Sequence, residues 1–304
     1  MLERERINKG SSMFVQSSVL SVGRDTFHRV AFTDWGEQGD RGTVVCVHGL
    51  TRQGRDFDPL AQALVAEGYR VICPDVVGRG LSDHLSNPED YDLPQYAIDM
   101  NALLAKIGAA EVIWIGFSLG GMIGMTMAGM ANSPITRLVV NDIGPDMPIN
   151  AVLRIGRYAT NAPDRFPTEQ AVDAYFRDIL APFGTLTDEQ WHHLAIHSVM
   201  PDGEGGYRLR YDRKIARAFK PPWLYAKKLW NSWDSIACPT LLLRGTESDL
   251  LLPSTAAEML ARNHNAQLLE FPDCGHLPPI MEPQQINVVL DWLRRTEKPS
   301  AERQ

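Results

Sequence analysis

Short unbroken apolar runs that alternate with stretches of helical periodicity constrain this chain more than any other feature. The runs Thr43 to His48, Tyr69 to Pro74, Glu111 to Gly116 and Thr136 to Asn141 are rich in Val and Ile. That is the pattern of strands covered on both faces. Between them, Phe57 to Glu67, Leu93 to Ile107 and Leu119 to Ala131 repeat apolar residues at helical spacing, with Asp56 or Ser118 at a start. A chain that alternates in this way is expected to form an α/β fold with right-handed crossovers. Ahead of it, Phe14 to Val22 and His28 to Asp34 alternate apolar with polar residues around Gly23, Arg24 and Asp25. These read as an antiparallel hairpin with one wet face.

The alternation stops after Pro145. It resumes with a strand near Thr240 to Arg244, a helix around Ser254 to Arg262, a strand at Ala266 to Phe271 and a helix from Pro283 to Arg295. The expected architecture is therefore a mostly parallel eight-stranded sheet with flanking helices and an insertion after strand 6. The core would comprise residues 13–145 and 235–304, and a helical cap residues 146–234. The cap holds Trp191, Trp223, Trp230 and Trp233, four of the seven tryptophans, and ends near the turn-prone Pro221 and Pro222. Residues 1–12 are polar and charged and are expected to form a disordered tail.

The 304 residues suffice for a large core, and 44% hydrophobic with 22% charged residues is ordinary for a globular protein. A net charge of −7 argues against a nucleic-acid surface, which needs clustered cations. The sequence offers no apolar run long enough for a membrane span or a secretory signal, so a cytoplasmic protein without a membrane partner is expected. Cys46, Cys73, Cys238 and Cys274 are scattered without metal-ligand or redox spacing and are expected as free thiols. No cofactor is expected. No metal is expected either: His193 and His197 form an i, i+4 pair beside His192, but no acidic ligand or general-base motif accompanies them. The oligomeric state stays open, a homodimer included.

The sharpest local signal is Gly116, Phe117, Ser118, Leu119 and Gly120, a G-x-S-x-G turn between an apolar strand and a helix. Such a turn lifts the serine clear of the sheet, and the two glycines remove side chains that would collide with the folded-back chain. A serine hydroxyl is a poor nucleophile at neutral pH and needs an imidazole to take its proton. His276 follows the last predicted strand in the turn-rich segment Asp273 to Pro278, at the same sheet edge. A carboxylate must then fix the imidazole's tautomer. Asp249, after the strand at Thr240 to Arg244, is the preferred residue. Asp142, directly after the strand ending at Asn141, is the rival, and Glu247 is a third choice. Backbone amides of Leu119 and of Leu50, in the loop after the run ending at His48, are the expected oxyanion donors. His48 is expected to brace that loop.

In these motifs the chain resembles the α/β-hydrolase superfamily over residues about 28–296. The resemblance rests on His48 and Gly49, the turn from Asp75 to Asp83 with Gly78 and Gly80, the Ser118 elbow, and the late Asp249 and Gly275 to His276 pair. It implies a serine hydrolase that cleaves a carboxylic ester or lactone through an acyl-enzyme, with water as second substrate. Branches with Asp at the elbow, the dehalogenases and epoxide hydrolases, do not match Ser118. Carbon-carbon bond hydrolases of ring-fission products are the second reading and a non-catalytic ligand receptor the third. Phe117, Trp223, Tyr225 and Trp230 are expected to supply apolar area for a small substrate. A hydrolase built this way gains activity as pH rises through the range near 6.5 where an ordinary imidazole becomes the free base. Initial rates of ester hydrolysis between pH 5 and 8 check this, and a flat profile would contradict it.

Overall fold

The computed structural model of the chain describes residues 14–36, 39–218 and 223–297, with backbone alone at 217, 218 and 223–225. The expected tail over residues 1–12 lies outside the described residues. The elements in chain order begin with β1 (Phe14–Val22), β2 (Phe27–Trp35), β3 (Thr43–Val47), α1 (Asp58–Ala66), β4 (Arg70–Pro74) and α2 (Leu93–Ile107). There follow β5 (Val112–Phe117), α3 (Leu119–Ala128) and β6 (Ile135–Asn141), and then an inserted segment with α4 (Ile149–Thr160), α5 (Glu169–Ile179), α6 (Asp188–His197), β7 (Val199–Pro201), β8 (Tyr207–Leu209) and α7 (Trp223–Asp234). The chain closes with β9 (Thr240–Gly245), α8 (Pro253–Arg262), β10 (Ala266–Phe271) and α9 (Pro283–Arg295).

Eight strands form one sheet in the order β1-β2-β4-β3-β5-β6-β9-β10. β2 pairs antiparallel with β1 and with β4, and the neighbours from β4 to β10 pair in parallel. This is the mostly parallel eight-stranded sheet that the alternation predicts. Both faces of its centre are dry: Val45, Trp114, Leu138, Val140 and Leu242 belong to one buried cluster, and Val44, Ile113, Val139, Leu241 and Leu243 to the other. Consecutive strand residues point to opposite faces, so a strand with helices on both sides carries apolar residues at every position. Among the described residues, no helix is long and apolar enough to cross a membrane.

The insertion between β6 and β9 departs from the expected all-helical stretch in two respects. It contains an antiparallel pair, β7 with β8. Each of these strands has only three residues, too few for a two-residue alternation to stand out. In addition, α7 packs with the core helices. Trp233 is fully buried and its indole N–H donates to the Met259 carbonyl of α8 at 2.9 Å. A Cβ at Gly129 would lie 2.4 Å from the Ser232 carbonyl oxygen, so the backbones after α3 and in α7 nearly touch. The boundary expected at residue 234 thus closes a helix that shares the core's buried layer.

The turn from β5 into α3 depends on equally close approach. A Cβ at Gly120 would stand 1.9 Å from the Val47 carbonyl oxygen of β3, whereas one at Gly156 in α4 meets nothing within 4 Å. Gly120→Ala is therefore expected to lower stability by about 2 kcal/mol or more. Gly156→Ala should raise it by about 0.5–1 kcal/mol. Urea denaturation midpoints check the pair, and an unchanged midpoint for Gly120→Ala would contradict the packing of the turn.

Candidate active site

Ser118 sits between the end of β5 and the start of α3 with φ 49° and ψ −109°, a sparsely populated conformation for a residue with a side chain. The surroundings hold it there. Its N–H donates to the Asn141 carbonyl at 3.0 Å, the Gly120 N–H to the His48 carbonyl at 3.2 Å, and the Trp114 indole N–H to the Gly120 carbonyl at 3.0 Å. A Cβ at Gly116 would lie 2.2 Å from the Gly120 carbonyl oxygen, which is why both flanking positions are glycine.

The His276 Nε2 lies 3.0 Å from the Ser118 Oγ. The imidazole is 9% exposed, and its other nitrogen, Nδ1, lies 2.8 Å from the Asp142 Oδ2. Asp142 is fully buried and adopts φ 54°, an uncommon left-handed conformation that aspartate tolerates better than most residues. Its Oδ1 accepts from the Gly245 N–H at 2.9 Å and its Oδ2 from the Ser248 hydroxyl at 2.6 Å. With these acceptor positions filled, the carboxylate favours the tautomer in which Nδ1 carries the proton and Nε2 faces the serine.

The preference for Asp249 is corrected by this geometry. Asp249 lies four residues beyond β9, is half exposed, and forms a two-point ion pair with Arg154 of α4 at 2.8 and 2.6 Å. Sheet register explains why Asp142 reaches the histidine instead. β6 is the immediate neighbour of β5, and Phe117 is paired with Asn141, so Ser118 and Asp142 are the next residues on adjacent strands. β9 is one strand farther away, and the start of its following loop turns Ser248 onto the Asp142 carboxylate. Glu247 does not face His276 either: its N–H donates to the Cys274 carbonyl at 3.0 Å and its side chain is exposed.

Opposite the serine runs the loop after β3. A Cβ at Gly49 would lie 3.7 Å from the Ser118 Cβ. Among the described residues, neither the Leu50 N–H nor the Leu119 N–H donates to an acceptor. His48 fixes the loop as expected: Nδ1 lies 2.6 Å from the Gly49 carbonyl, while Nε2 accepts from the Val76 N–H at 2.9 Å. Those contacts require a neutral ring with its proton on Nδ1, and burial pushes its pKa down to about 3. Arg79 adds a second brace that the sequence does not reveal. It is fully buried, and its guanidinium donates to the Leu50 carbonyl at 2.8 Å, the Val77 carbonyl at 2.7 Å and the Tyr96 hydroxyl at 3.0 Å. The turn holding Gly78 and Gly80 folds around Asp75, whose carboxylate accepts from the Gly54 and Leu81 N–H groups at 2.7 and 2.8 Å.

A narrow pocket adjoins the site, lined by Gly49, Arg52, Asp56, Phe117, Phe183, Leu194, Leu277 and Pro279. Phe117 lines it. Trp230 does not: its ring lies under the Arg262 guanidinium, 4.3 Å from the centroid, on the α7 face toward α8. The side chains of Trp223 and Tyr225 lie outside the described residues. The four cysteines are free thiols, and burial pushes Cys274 up to about 11, which suits a structural thiol. His28 in β2 is buried with its Nε2 2.8 Å from the Asp99 Oδ1.

One cluster carries metal-type ligands. Asp58, His193 and His197 bring one ligand atom each within 4.8 Å of one another. The acidic partner that the histidine pair lacks in sequence thus arrives from α1. Its carboxylate is held by the Arg55 guanidinium, however, and the His193 Nε2 is engaged by the Arg55 carbonyl at 2.8 Å. These bonds compete with any cation for the same atoms.

Comparison with known proteins agrees with this architecture. A family model described as alpha/beta hydrolase fold matches residues 42–283. The chain is 44% identical over 269 residues to a 3-hydroxybutyrate-oligomer hydrolase of Cupriavidus necator, covering 86% of this chain and 91% of that protein. It is 25% identical to a bifunctional esterase/perhydrolase of Acinetobacter calcoaceticus, covering 87% and 94% of the two chains. Among solved structures, an alpha/beta hydrolase from Novosphingobium aromaticivorans superposes with a TM-score of 0.81 at 31% identity, covering 92% of this chain and 98% of that one. On fold, site geometry and sequence together, this chain belongs to the α/β-hydrolase family.

Proposed function

We propose that this protein is a serine hydrolase of carboxylic esters, with Ser118 as nucleophile, His276 as general base and acid, and Asp142 as the carboxylate that orients and stabilises the imidazolium. The observation that carries this reading is the unbroken hydrogen-bond chain from the Ser118 Oγ through His276 to the buried Asp142. In the first half-reaction His276 takes the hydroxyl proton as Oγ attacks the ester carbonyl, then returns it to the leaving alcohol. In the second, His276 activates water against the acyl-enzyme. The N–H groups of Leu50 and Leu119 receive the oxyanion; one such donor is worth roughly 3–4 kcal/mol in another hydrolase. The Cupriavidus relative's substrate, an oligomer of 3-hydroxybutyrate, is a chain of esters of a short hydroxy acid, and supports an ester of that size for this chain.

Two predictions test the assignment. Ser118→Ala is expected to lower turnover of p-nitrophenyl butyrate and of soluble 3-hydroxybutyrate trimers by at least about 10⁴-fold. Residual turnover within tenfold of wild type would contradict a serine nucleophile. Asp142→Asn should lower kcat by about 10⁴-fold by presenting the wrong tautomer, as the equivalent change does in another triad. Asp249→Asn should leave kcat within about threefold, because it removes only a half-exposed ion pair. The reverse ranking in steady-state assays would return the role to Asp249.

A further inference from the structure

The loop after β9 does not supply the acid of the site, yet it is built around that acid. The last N–H of β9, that of Gly245, donates to Asp142 Oδ1 at 2.9 Å, and the Ser248 hydroxyl donates to Oδ2 at 2.6 Å. Oδ2 is also the oxygen that meets His276 Nδ1, at 2.8 Å. Ser248 and the imidazole therefore draw on the charge of one oxygen. The direction of the Ser248 bond is fixed by its surroundings. The hydroxyl oxygen already accepts from the Leu250 and Leu251 N–H groups at 3.2 and 3.1 Å, which fills both lone pairs and leaves the proton for the carboxylate. Ser248 is 5% exposed and Asp142 is fully buried, so bulk water cannot take over this bond.

The loop is held in a way that keeps the proton aimed. The buried Arg244 guanidinium spans it, donating to the Thr246 carbonyl at 3.2 Å and to the Leu251 carbonyl at 2.7 Å, and the Ser248 N–H donates to the Gly245 carbonyl at 3.0 Å. The same loop also touches the segment that carries the histidine. The Glu247 N–H donates to the Cys274 carbonyl at 3.0 Å, and a Cβ at Gly245 would lie 2.4 Å from the carbonyl oxygens of both Cys274 and Gly275. A hydrogen bond to an ionised acceptor is a strong one, and it draws charge from the carboxylate. The effect on the imidazole has a definite sign. The Asp142 charge favours the protonated ring, and a donor on Oδ2 weakens that preference, so the ring gives up its proton at a lower pH than it would beside the same carboxylate without Ser248.

We propose that Ser248 is a positioning residue of the reaction, whose hydroxyl holds the Asp142 carboxylate against His276 and, by sharing Oδ2, sets the pH above which His276 serves as base. This inference rests on the esterase reading above and deepens it. The other charged and titratable groups around the pair are the Cys274 thiol with Glu247 and Asp273 on the neighbouring loops, the Arg244–Glu270 and Arg154–Asp249 ion pairs, and, beyond Gly49, the Arg52–Asp56 ion pair. All of these stay in place when the Ser248 hydroxyl alone is removed.

The test compares wild type, Ser248→Ala, Ser248→Thr and Asp249→Asn by kcat/KM for p-nitrophenyl butyrate between about pH 5 and pH 9, a profile that reports the groups of the free enzyme. In Ser248→Ala the acid limb should move by about 0.5–1 pH unit toward higher pH, the size expected when the imidazole feels part of a lost hydrogen bond to a charged group. Ser248→Thr keeps the hydroxyl and should hold the limb within about 0.2 pH unit of wild type. Asp249→Asn should do the same, because it changes a half-exposed, solvent-screened charge next to Ser248 and leaves the hydroxyl in place. The position of the limb does not depend on how much of a variant folds, and a purely structural role for Ser248 would lower the rate without moving it. A limb that stays in place or moves toward lower pH in Ser248→Ala would overturn the proposal while leaving the esterase reading intact. An equal shift in Ser248→Thr or in Asp249→Asn would do so too. Absence of ester turnover by wild type, or full turnover by Ser118→Ala, would instead overturn the esterase reading and this inference with it.

Discussion

The pairing of β5 with β6 is the constraint on which the rest of this site depends. Because Phe117 is opposite Asn141, the chain leaves the sheet at the same level on two adjacent strands, with Ser118 on one and Asp142 on the other. Both residues take positive φ, and the Ser118 N–H is tied to the Asn141 carbonyl, so one backbone bond couples the Ser118 turn to the strand that presents Asp142. His276 has only to reach the gap between them. A one-residue slip between these strands would exchange the side chains on the two faces and separate Ser118 from Asp142. The dry packing on both faces of the sheet makes such a slip costly.

The second element of the design is rigidity on the opposite side of the serine. The loop that carries Leu50 is irregular backbone, yet it is fastened by the neutral His48 from within and by the buried Arg79 from the neighbouring turn. Donors that are already aimed before substrate arrives avoid reorganisation during the reaction, which is where electrostatic catalysis gains most. The glycine-rich turn around Asp75 thereby acquires a purpose beyond chain reversal, since Arg79 lies between its two positive-φ glycines. In the proposed reading, the backbone donors stand on one side of the reacting carbonyl and the imidazole on the other.

Much of this was legible in the sequence, and the failures share a cause. The strands, the elbow and His276 are announced by local patterns: unbroken apolar runs, glycines at fixed offsets, a turn after the last strand. Asp142 was legible only as a rival to Asp249, because both follow a core strand and both precede His276. The difference lies in which strand neighbours β5, and that is a matter of sheet order. Trp230 looked like pocket material because it is aromatic and lies in the insertion, but its ring is covered by Arg262 from α8. The approach of Asp58 to His193 and His197 links residues more than 130 positions apart, as does that of Leu194 to Arg52, and neither leaves a periodic trace. Local chemistry was readable. The long-range choice among equivalent carboxylates and aromatics was not.

The most direct measurement is proton NMR of the imidazole N–H of His276, assigned with ring-labelled histidine. The account predicts a resonance far downfield, from a proton held in a charge-assisted bond to a carboxylate, that persists in Asp249→Asn and disappears in Asp142→Asn. A resonance that survives loss of the Asp142 carboxylate, or that vanishes when only Asp249 is changed, would contradict the arrangement of the site.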